Sequence, residues 1–368
     1  MKKVIIIGSS IAGSTAALAL SKSFDITVYD KKRMEEVSEK LCGNICTYSI
    51  EKLIDELGLE GNFVLSRYER INVFSRNNVA SFPTREYEID RKALLREMIR
   101  KAERNGVEFN FSTGFVKLEK RRGNYEVFLE KNGKTFSDKA DIIIGADGAL
   151  SGVAKSIGRA NREFFLFLQA RVRREQIGKK QFIPEKSSYS IFIGKNSGHY
   201  SYIFPSKDGK EFKIGLGDDY EKDVSEQFRL FLASLGVKNA RIEGALIPKP
   251  KIVKGKGKVY LIGDSSCNVK YSGGGIIPSL EQALALNDEL SGKPGRMARV
   301  RRKTRINRRI TRMMGEMGDK DFDRLLDILK DRRFEKIFSI RDDLNNSDIL
   351  RMLSPRLLLL STKIMLRP

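Results

Sequence analysis

The first thirty residues constrain this chain more than any other stretch. Val4-Ile5-Ile6-Ile7 is a short, unbroken apolar run, the pattern of a strand buried on both faces. Gly8-Ser9-Ser10-Ile11-Ala12-Gly13 follows at once, then Ala16-Ala17-Leu18-Ala19-Leu20 in helical register. Ile26-Thr27-Val28-Tyr29 predicts a second strand, and it ends on an acid, Asp30. The whole is a strand, turn, helix and strand carrying the dinucleotide fingerprint G-x-G-x-x-G, with Ser10 in place of the middle glycine. Gly8 permits the sharp turn, a small residue at position 10 lets a pyrophosphate approach the backbone, and Gly13 lets the helix pack close to the sheet. The free N–H groups of the helix start then face the phosphates. Asp30 is placed to accept hydrogen bonds from both hydroxyls of an adenosine ribose. Two readings compete. A secretory signal would use Lys2-Lys3 and the apolar stretch, but glycines and serines interrupt it. An α/β unit that binds no nucleotide is the other.

Composition narrows the class. A chain of 368 residues can bury a large core in two or three lobes. Hydrophobic content of 40% and charged content of 32% suit a globular protein. No apolar run approaches the ~20 residues of a membrane span. Three cysteines imply no disulfide framework and fit a reducing cytoplasm. Cys42, Cys46 and Cys267 have no zinc spacing, and His199 is the single histidine, so no metal site is expected. The net charge of +22 favours anionic partners: nucleic acid, a phospholipid surface or phosphorylated small molecules.

Further along, residues 49–57 read as helical and residues 63–82 as strands. Tyr87-Glu88-Ile89-Asp90-Arg91 leads into a helix over 92–104, and residues 107–111 predict a strand. Residues 115–139 predict a β-meander, with turns at Arg122-Gly123-Asn124 and Asn132-Gly133. Asp141-Ile142-Ile143-Ile144-Gly145-Ala146-Asp147-Gly148 is another buried strand ending in a tight turn, and Val259-Tyr260-Leu261-Ile262-Gly263-Asp264 a third. Residues 164–250 look mostly β. Ser272-Gly273-Gly274-Gly275 opens a helix over 276–290, and the remainder is helical and basic.

The three strand-end motifs, in this order, resemble those of the aromatic-hydroxylase-like (p-hydroxybenzoate hydroxylase-like) flavoproteins. Within them the chain is most similar to the geranylgeranyl reductase family, of the digeranylgeranylglycerophospholipid reductase kind. Lys40-Leu41-Cys42-Gly43 resembles that family's K-x-C-G segment. Tyr200-Ser201-Tyr202-Ile203-Phe204-Pro205 with Gly215-Leu216-Gly217 resembles its Y-x-W-x-F-P…G-x-G substrate motif, with Tyr202 where tryptophan is usual. The resemblance implies an α/β fold with α+β insertions: a Rossmann-like FAD-binding domain with a β-meander (1–60, 87–163, 251–292), an inserted antiparallel substrate sheet (61–86, 164–250) and a basic helical region (293–368).

It also implies FAD and its contacts. Gly8, Ser10, Ala12 and Gly13 would meet the pyrophosphate and Asp30 the ribose. Arg91 would neutralise phosphate charge, and Asp264 would accept from the ribityl chain. Gly274, Gly275 and Ile276 would bring backbone N–H groups to the N1–O2 edge of the isoalloxazine. Cys42, Gly43 and Ile45 would border the ring, and Gly114 the adenine. Asp147 would shape its turn and hold Arg91. Cys42 has two readings: a thiol near a helix N-terminus, flanked by Lys40, with a lowered pKa, or a small buried residue. Cys46 and Cys267 read as packing. Tyr200, Tyr202 and Phe204 share one strand face, and line a polyprenyl tunnel or form core; Tyr200 and Tyr202 are also candidates for catalysis, and Pro205 for substrate contact. His199, on the opposite face, reads as a surface residue.

Arg296 to Arg312 holds nine basic residues and no acid, with Ile306, Ile310, Met313 and Met317 as an apolar stripe. That suits a helix lying on an anionic membrane, or one packed on the flavin domain. Leu357 to Leu360 is a second exposed-apolar candidate. Without aromatic interleaving, no nucleic acid is expected. The expected activity is FAD-dependent reduction of isolated C=C bonds in a polyprenyl lipid, fed by NAD(P)H or ferredoxin, in a cytoplasmic protein peripherally bound to membrane. A flavin monooxygenase and a basic binding protein on a degenerate scaffold are the alternatives.

Overall fold

The computed structural model describes residues 1–39, 41–121, 123–293 and 295–331. The opening unit is β1 (Lys3–Ile7), α1 (Ile11–Leu20) and β2 (Asp25–Tyr29), followed by the single turn α2 (Met34–Val37). Next come β3 (Ile45–Thr47), α3 (Ser49–Glu56), the long hairpin β4 (Val64–Phe74) and β5 (Val79–Ile89), α4 (Arg91–Arg104) and β6 (Glu108–Asn110). The meander is β7 (Gly114–Arg121), β8 (Asn124–Lys131) and β9 (Lys134–Ala140), leading to β10 (Ile142–Gly145) and α5 (Gly152–Ser156). Then follow β11 (Phe164–Arg173), β12 (Ser188–Phe192), β13 (Tyr200–Pro205), β14 (Glu211–Asp219), α6 (Val224–Ser234), β15 (Ile242–Pro248) and β16 (Val259–Leu261). Three helices complete the described chain: α7 (Ile276–Leu290), α8 (Arg296–Glu316) and α9 (Asp319–Leu329).

The apolar run of β1 becomes the middle of a parallel five-stranded sheet, β16-β10-β1-β2-β6. Its alternate residues serve two cores, as the period of two requires. Val4 and Ile6 pack with α1, α4 and α7 on one face. Ile5 and Ile7 pack with Tyr125, Val127 and Leu129 of the meander on the other. Burial on both faces explains why β1 and β10 read as unbroken isoleucine runs. The second sheet has eight strands, β15-β11-β14-β13-β12-β4-β5-β3, antiparallel except where β12 lies parallel to β4. One face packs on α6 and the other on an aromatic cluster. This is the expected α/β architecture with an antiparallel insertion and C-terminal helices.

Three local readings differ from expectation. β3 and the end of β5 pair within the eight-stranded sheet, although the resemblance places residues 1–60 and 87–163 in the FAD-binding domain. α6 interrupts the β-rich stretch; Val224, Phe228, Phe231 and Leu232 recur at a helical period, and Asp223 caps its start by accepting from the Glu226 N–H at 2.9 Å. His199 is buried rather than exposed. Its ring stacks on Phe165 at 4.5 Å, and Nε2 lies 2.8 Å from the Tyr271 carbonyl, because the loop before α7 folds over it.

α8 buries Val300 and Thr304, while Ile306 and Ile310 are half-buried and Met313 joins Met317 and Phe322 in a small cluster. Its inner cations are paired: Arg296 with Glu56, Arg301 with Glu289 at 3.7 Å, Lys303 with Glu281 at 2.7 Å. Arg299, Arg302, Arg305, Arg309 and Arg312 face outward. Among the described residues no helix is long and apolar enough to cross a membrane. Lys40 and Leu357 to Leu360 lie outside the described residues.

Two predictions follow from packing. A Cβ on Gly13 would sit 1.8 Å from the Gly8 carbonyl oxygen, a backbone atom that cannot step aside. Gly13→Ala should therefore cost about 3 kcal/mol or more, read as a lowered denaturation midpoint. Burial holds His199 below its ordinary 6.5, outweighing the Tyr271 carbonyl and Asp218, which act the other way; Lys222 and Lys249 add to the lowering. The unfolded chain then binds the proton more readily than the folded one. Stability from this group is present above about pH 6.5 and is lost as pH falls from there through the folded-state value. Urea midpoints at pH 7.5 and 5.5 should differ less in His199→Gln than in the parent.

Candidate active site

The chain leaves β1 toward β2 on one side, while β10 joins it on the other. A crevice opens at the carboxyl ends of such strands. Backbone bonds lock those ends together: Gly8 N–H to Tyr29 O (2.7 Å), Ala146 N–H to Ile7 O (2.8 Å) and Ile262 N–H to Gly145 O (3.0 Å). Gly8, at φ +99°, lies so close to β10 that a Cβ would stand 2.4 Å from the Ala146 carbonyl oxygen.

Two helices begin at this edge. α1 starts after Ser10, which makes no side-chain cap, and its first turn holds no acid. The N–H groups of Ile11, Ala12 and Gly13 therefore have no acceptor within the helix. α7 starts after Gly275, again with no side-chain cap and no acid in its first turn. Both ends present positive potential to the crevice. Between them, the 3-10 turn Gly263–Ser266 carries Asp264. That turn is fixed by Gln282 of α7, whose Oε1 accepts from Gly263 N–H (2.8 Å) and Ser266 Oγ (2.9 Å). Asp264 Oδ1 lies 3.1 Å from where a Gly275 Cβ would be, so a side chain there would press on the carboxylate. The cradle of small residues, two uncapped helix starts and one carboxylate between them fit an extended dinucleotide with a diphosphate.

Asp30 follows the last residue of β2, beside β1 in the parallel sheet. Asp30 Oδ2 accepts from Ser9 N–H (2.7 Å) and Ser9 Oγ (2.8 Å), and Oδ1 from Lys32 N–H (2.9 Å). The carboxylate is thus held in place and keeps acceptor capacity. Thr113, next to Gly114, donates its N–H to the Asp30 carbonyl at 2.8 Å. Arg91 is buried at the start of α4, and its Nη2 donates to the Ser38 carbonyl at 2.5 Å. Asp147 does not hold Arg91. Its carboxylate takes Ser151 Oγ (2.5 Å) and Val153 N–H (3.1 Å), so it fastens the start of α5, and burial raises its pKa.

Cys42 and Gly43 lie in the loop before β3, not at a helix N-terminus; α3 begins only at Ser49. Cys42 is half-buried against the α1–α7 core, and its Sγ accepts from the Asn44 N–H at 3.3 Å. Gly43 passes over Phe204: a Cβ there would be 2.9 Å from the ring. The Cys42 sulfur is close enough to Tyr202 that its charge would raise the phenol pKa, which burial has already raised. Two segments about 160 residues apart are thus brought together. Ile45, the first residue of β3, packs on the same aromatic cluster. Cys46, on the opposite side of β3, is buried in the core of α1, α4 and α7, and burial pushes the Cys267 thiol up to about 12.

Tyr200, Tyr202 and Phe204 do share a face and are all buried. Tyr202 stacks on Phe204 at 4.2 Å, and Tyr189 meets Phe204 edge-on at 5.2 Å. The G-x-G motif makes room for these rings: a Cβ at Gly215 would lie 2.1 Å from Tyr202, and one at Gly217 2.4 Å from Phe167. Pro205 ends the strand, its carbonyl accepting from Tyr68 at 2.8 Å. Sequence reading missed three polar residues here. Gln169 accepts from the Tyr202 hydroxyl at 2.8 Å. Lys213 pairs with Glu88 at 2.6 Å and donates to the Gly43 carbonyl at 3.2 Å. Lone polar residues within strands carry no signal until pairing sets them side by side.

Comparison with known proteins agrees with this geometry. The FAD binding domain family matches residues 1–230. Geranylgeranyl diphosphate reductase from Oryza sativa subsp. japonica is 28% identical over 304 residues, covering 74% of this chain and 63% of that protein. The match thus spans less than two thirds of that relative. Digeranylgeranylglycerophospholipid reductase 3 from Methanosphaera stadtmanae is 25% identical over 94% of this chain and 87% of its own. The crystal structure of a geranylgeranyl bacteriochlorophyll reductase-like protein from Thermoplasma acidophilum superposes with a TM-score of 0.79 at 16% identity, covering 99% and 98% of the two chains. With a crevice suited to a dinucleotide and a family match over more than half its length, the chain belongs to the FAD binding domain family, and its cofactor is FAD.

Proposed function

We propose that this protein is an FAD-dependent oxidoreductase that saturates isolated C=C bonds of a geranylgeranyl or other polyprenyl lipid. The observation that carries the reading is the convergence of Cys42 and Gly43 with Tyr202 and Phe204 beside the flavin crevice. The names of the sequence relatives support the same reaction class, and do not favour the monooxygenase alternative. When bound, FAD supplies the hydride, renewed from an external donor such as NAD(P)H or ferredoxin.

In this reading the chain's own residues divide the work. Backbone N–H groups of Ala12 and Gly13, with Arg91, hold the diphosphate; Asp30 holds the ribose and Asp264 the ribityl chain. Gly114 stands by the adenine. The start of α7, at Gly274, Gly275 and Ile276, stabilises negative charge on the ring. Cys42, Gly43 and Ile45 border the ring on the aromatic side. Tyr200, Tyr202, Phe204 and Pro205 contact the apolar substrate chain and exclude water. Cys42 Sγ, as the candidate catalytic thiol, stands at the junction of the two regions. The Tyr202 hydroxyl stays protonated and is oriented by Gln169. The outward arginines of α8 meet an anionic membrane surface, where such a lipid resides.

The test is anaerobic. Flavin in the purified protein is reduced with dithionite, a geranylgeranyl lipid is added, and flavin reoxidation and product mass are followed. Reoxidation coupled to gain of one hydrogen pair per double bond is expected; reoxidation that needs oxygen and yields a hydroxylated product would sink the reading. Cys42→Ser should slow turnover at least tenfold while retaining FAD. Lys213→Met leaves Glu88 buried without its partner and should cost about 3–5 kcal/mol. Pairing it with Glu88→Gln should recover most of that loss, as measured by chemical denaturation.

A further inference from the structure

The connection between β15 and β16 carries Lys249, Lys251, Lys254, Lys256 and Lys258 with no acid among residues 249–258. Lys249 serves the eight-stranded sheet, pairing with Asp219 and lying over the Phe165 ring at 5.5 Å; the crevice residues include none of the run. Its backbone is pinned to the turn behind Asp264: Lys251 N–H donates to Cys267 O and Val253 N–H to Ser266 O, both at 3.2 Å. It therefore forms a fixed strap. On its outer side lies an open chamber of about 530 Å³, lined by residues 158–160, strap residues 251–254 and Arg305 of α8.

Four cations from three segments converge there, Arg159, Lys251, Lys254 and Arg305, and the lining contains no acid. Lys251 pairs with Glu163 at the rim, at 2.6 Å. Among the described residues the other three have no carboxylate within ion-pair distance. Among the described residues, folding thus gathers Arg159, Lys254 and Arg305 without a carboxylate partner, and a concave surface of one sign concentrates its field on a counter-ion. The volume falls within the range of small-molecule sites, about 300–1,000 Å³. It is wide for one phosphate between two cations and suits a longer polyanion. Arginine forks grip two phosphate oxygens at once, and lysines add mobile point charge.

We propose that this chamber binds the diphosphate group of a phosphorylated ligand. It shares no lining residue with the crevice that holds the diphosphate of FAD. Two molecular classes bear such a group, a prenyl diphosphate and an adenine dinucleotide. The site recognises what they have in common.

The test uses the full FAD-loaded chain, so that the crevice is filled, and titrates inorganic pyrophosphate, geranyl diphosphate and ADP-ribose by calorimetry. Saturable pyrophosphate binding is expected, at least tenfold weaker in Lys254→Gln/Arg305→Gln, with an unchanged flavin spectrum reporting an intact fold. The control Arg302→Gln/Arg309→Gln removes equal charge from the open face of α8 and should leave binding within twofold. Tighter binding of geranyl diphosphate than of pyrophosphate assigns a prenyl source; tighter ADP-ribose assigns a dinucleotide. Absence of saturable binding, or equal losses in the two double variants, overturns the proposal.

Discussion

Everything in this molecule depends on how closely α1 approaches β1. The Gly13 Cα and the Gly8 carbonyl leave no space for a methyl group between them. That contact draws the helix start into the sheet edge, where its N–H groups face the crevice instead of solvent. α1 is buried along nearly its whole length, wedged between α4 and α7. The field of its first turn is therefore little screened by water. A longer side chain at either position would turn the helix away and remove the anion-binding edge at its origin.

A second dependence is the pairing of polar groups inside an aromatic layer. The Tyr202 hydroxyl would be costly to bury alone, and Gln169 meets it. Lys213 and Glu88 neutralise each other, and Lys213 also donates to the Gly43 carbonyl. These contacts fix where rings and loop meet. The glycines of the 215–217 motif serve the same layer by vacating space that the Tyr202 and Phe167 rings occupy. A motif that reads as a substrate signature is, in its local physics, a packing device for large side chains.

Much of this was legible from local pattern. Isoleucine runs, glycine spacing and the Asn132-Gly133 turn gave the parallel sheet and the meander, since each signal is contained within a few residues. The strand that leads to Asp264 and the start of α7 after its glycines were legible as local elements for the same reason. Other features depend on tertiary neighbours. His199 is covered by a loop 72 residues away. The resemblance implies that Asp147 holds Arg91, yet the start of α5 takes its carboxylate. β3 is too short to announce its sheet, and only the β5 register assigns it. Gln169, Lys213 and Glu88 acquire roles through partners distant in sequence.

The segment around Cys42 belongs to two bodies at once. Its downstream end, β3, is hydrogen-bonded into the eight-stranded sheet, while its thiol rests on the helices of the nucleotide sheet. Asn44, between them, already adopts a left-handed φ of +61°, a conformation asparagine tolerates better than most residues. This is one of the places where the chain passes between the two sheets. With the thiol seated on the helices and Ile45 paired into the sheet, the separation of these two neighbours measures how far apart the two halves stand.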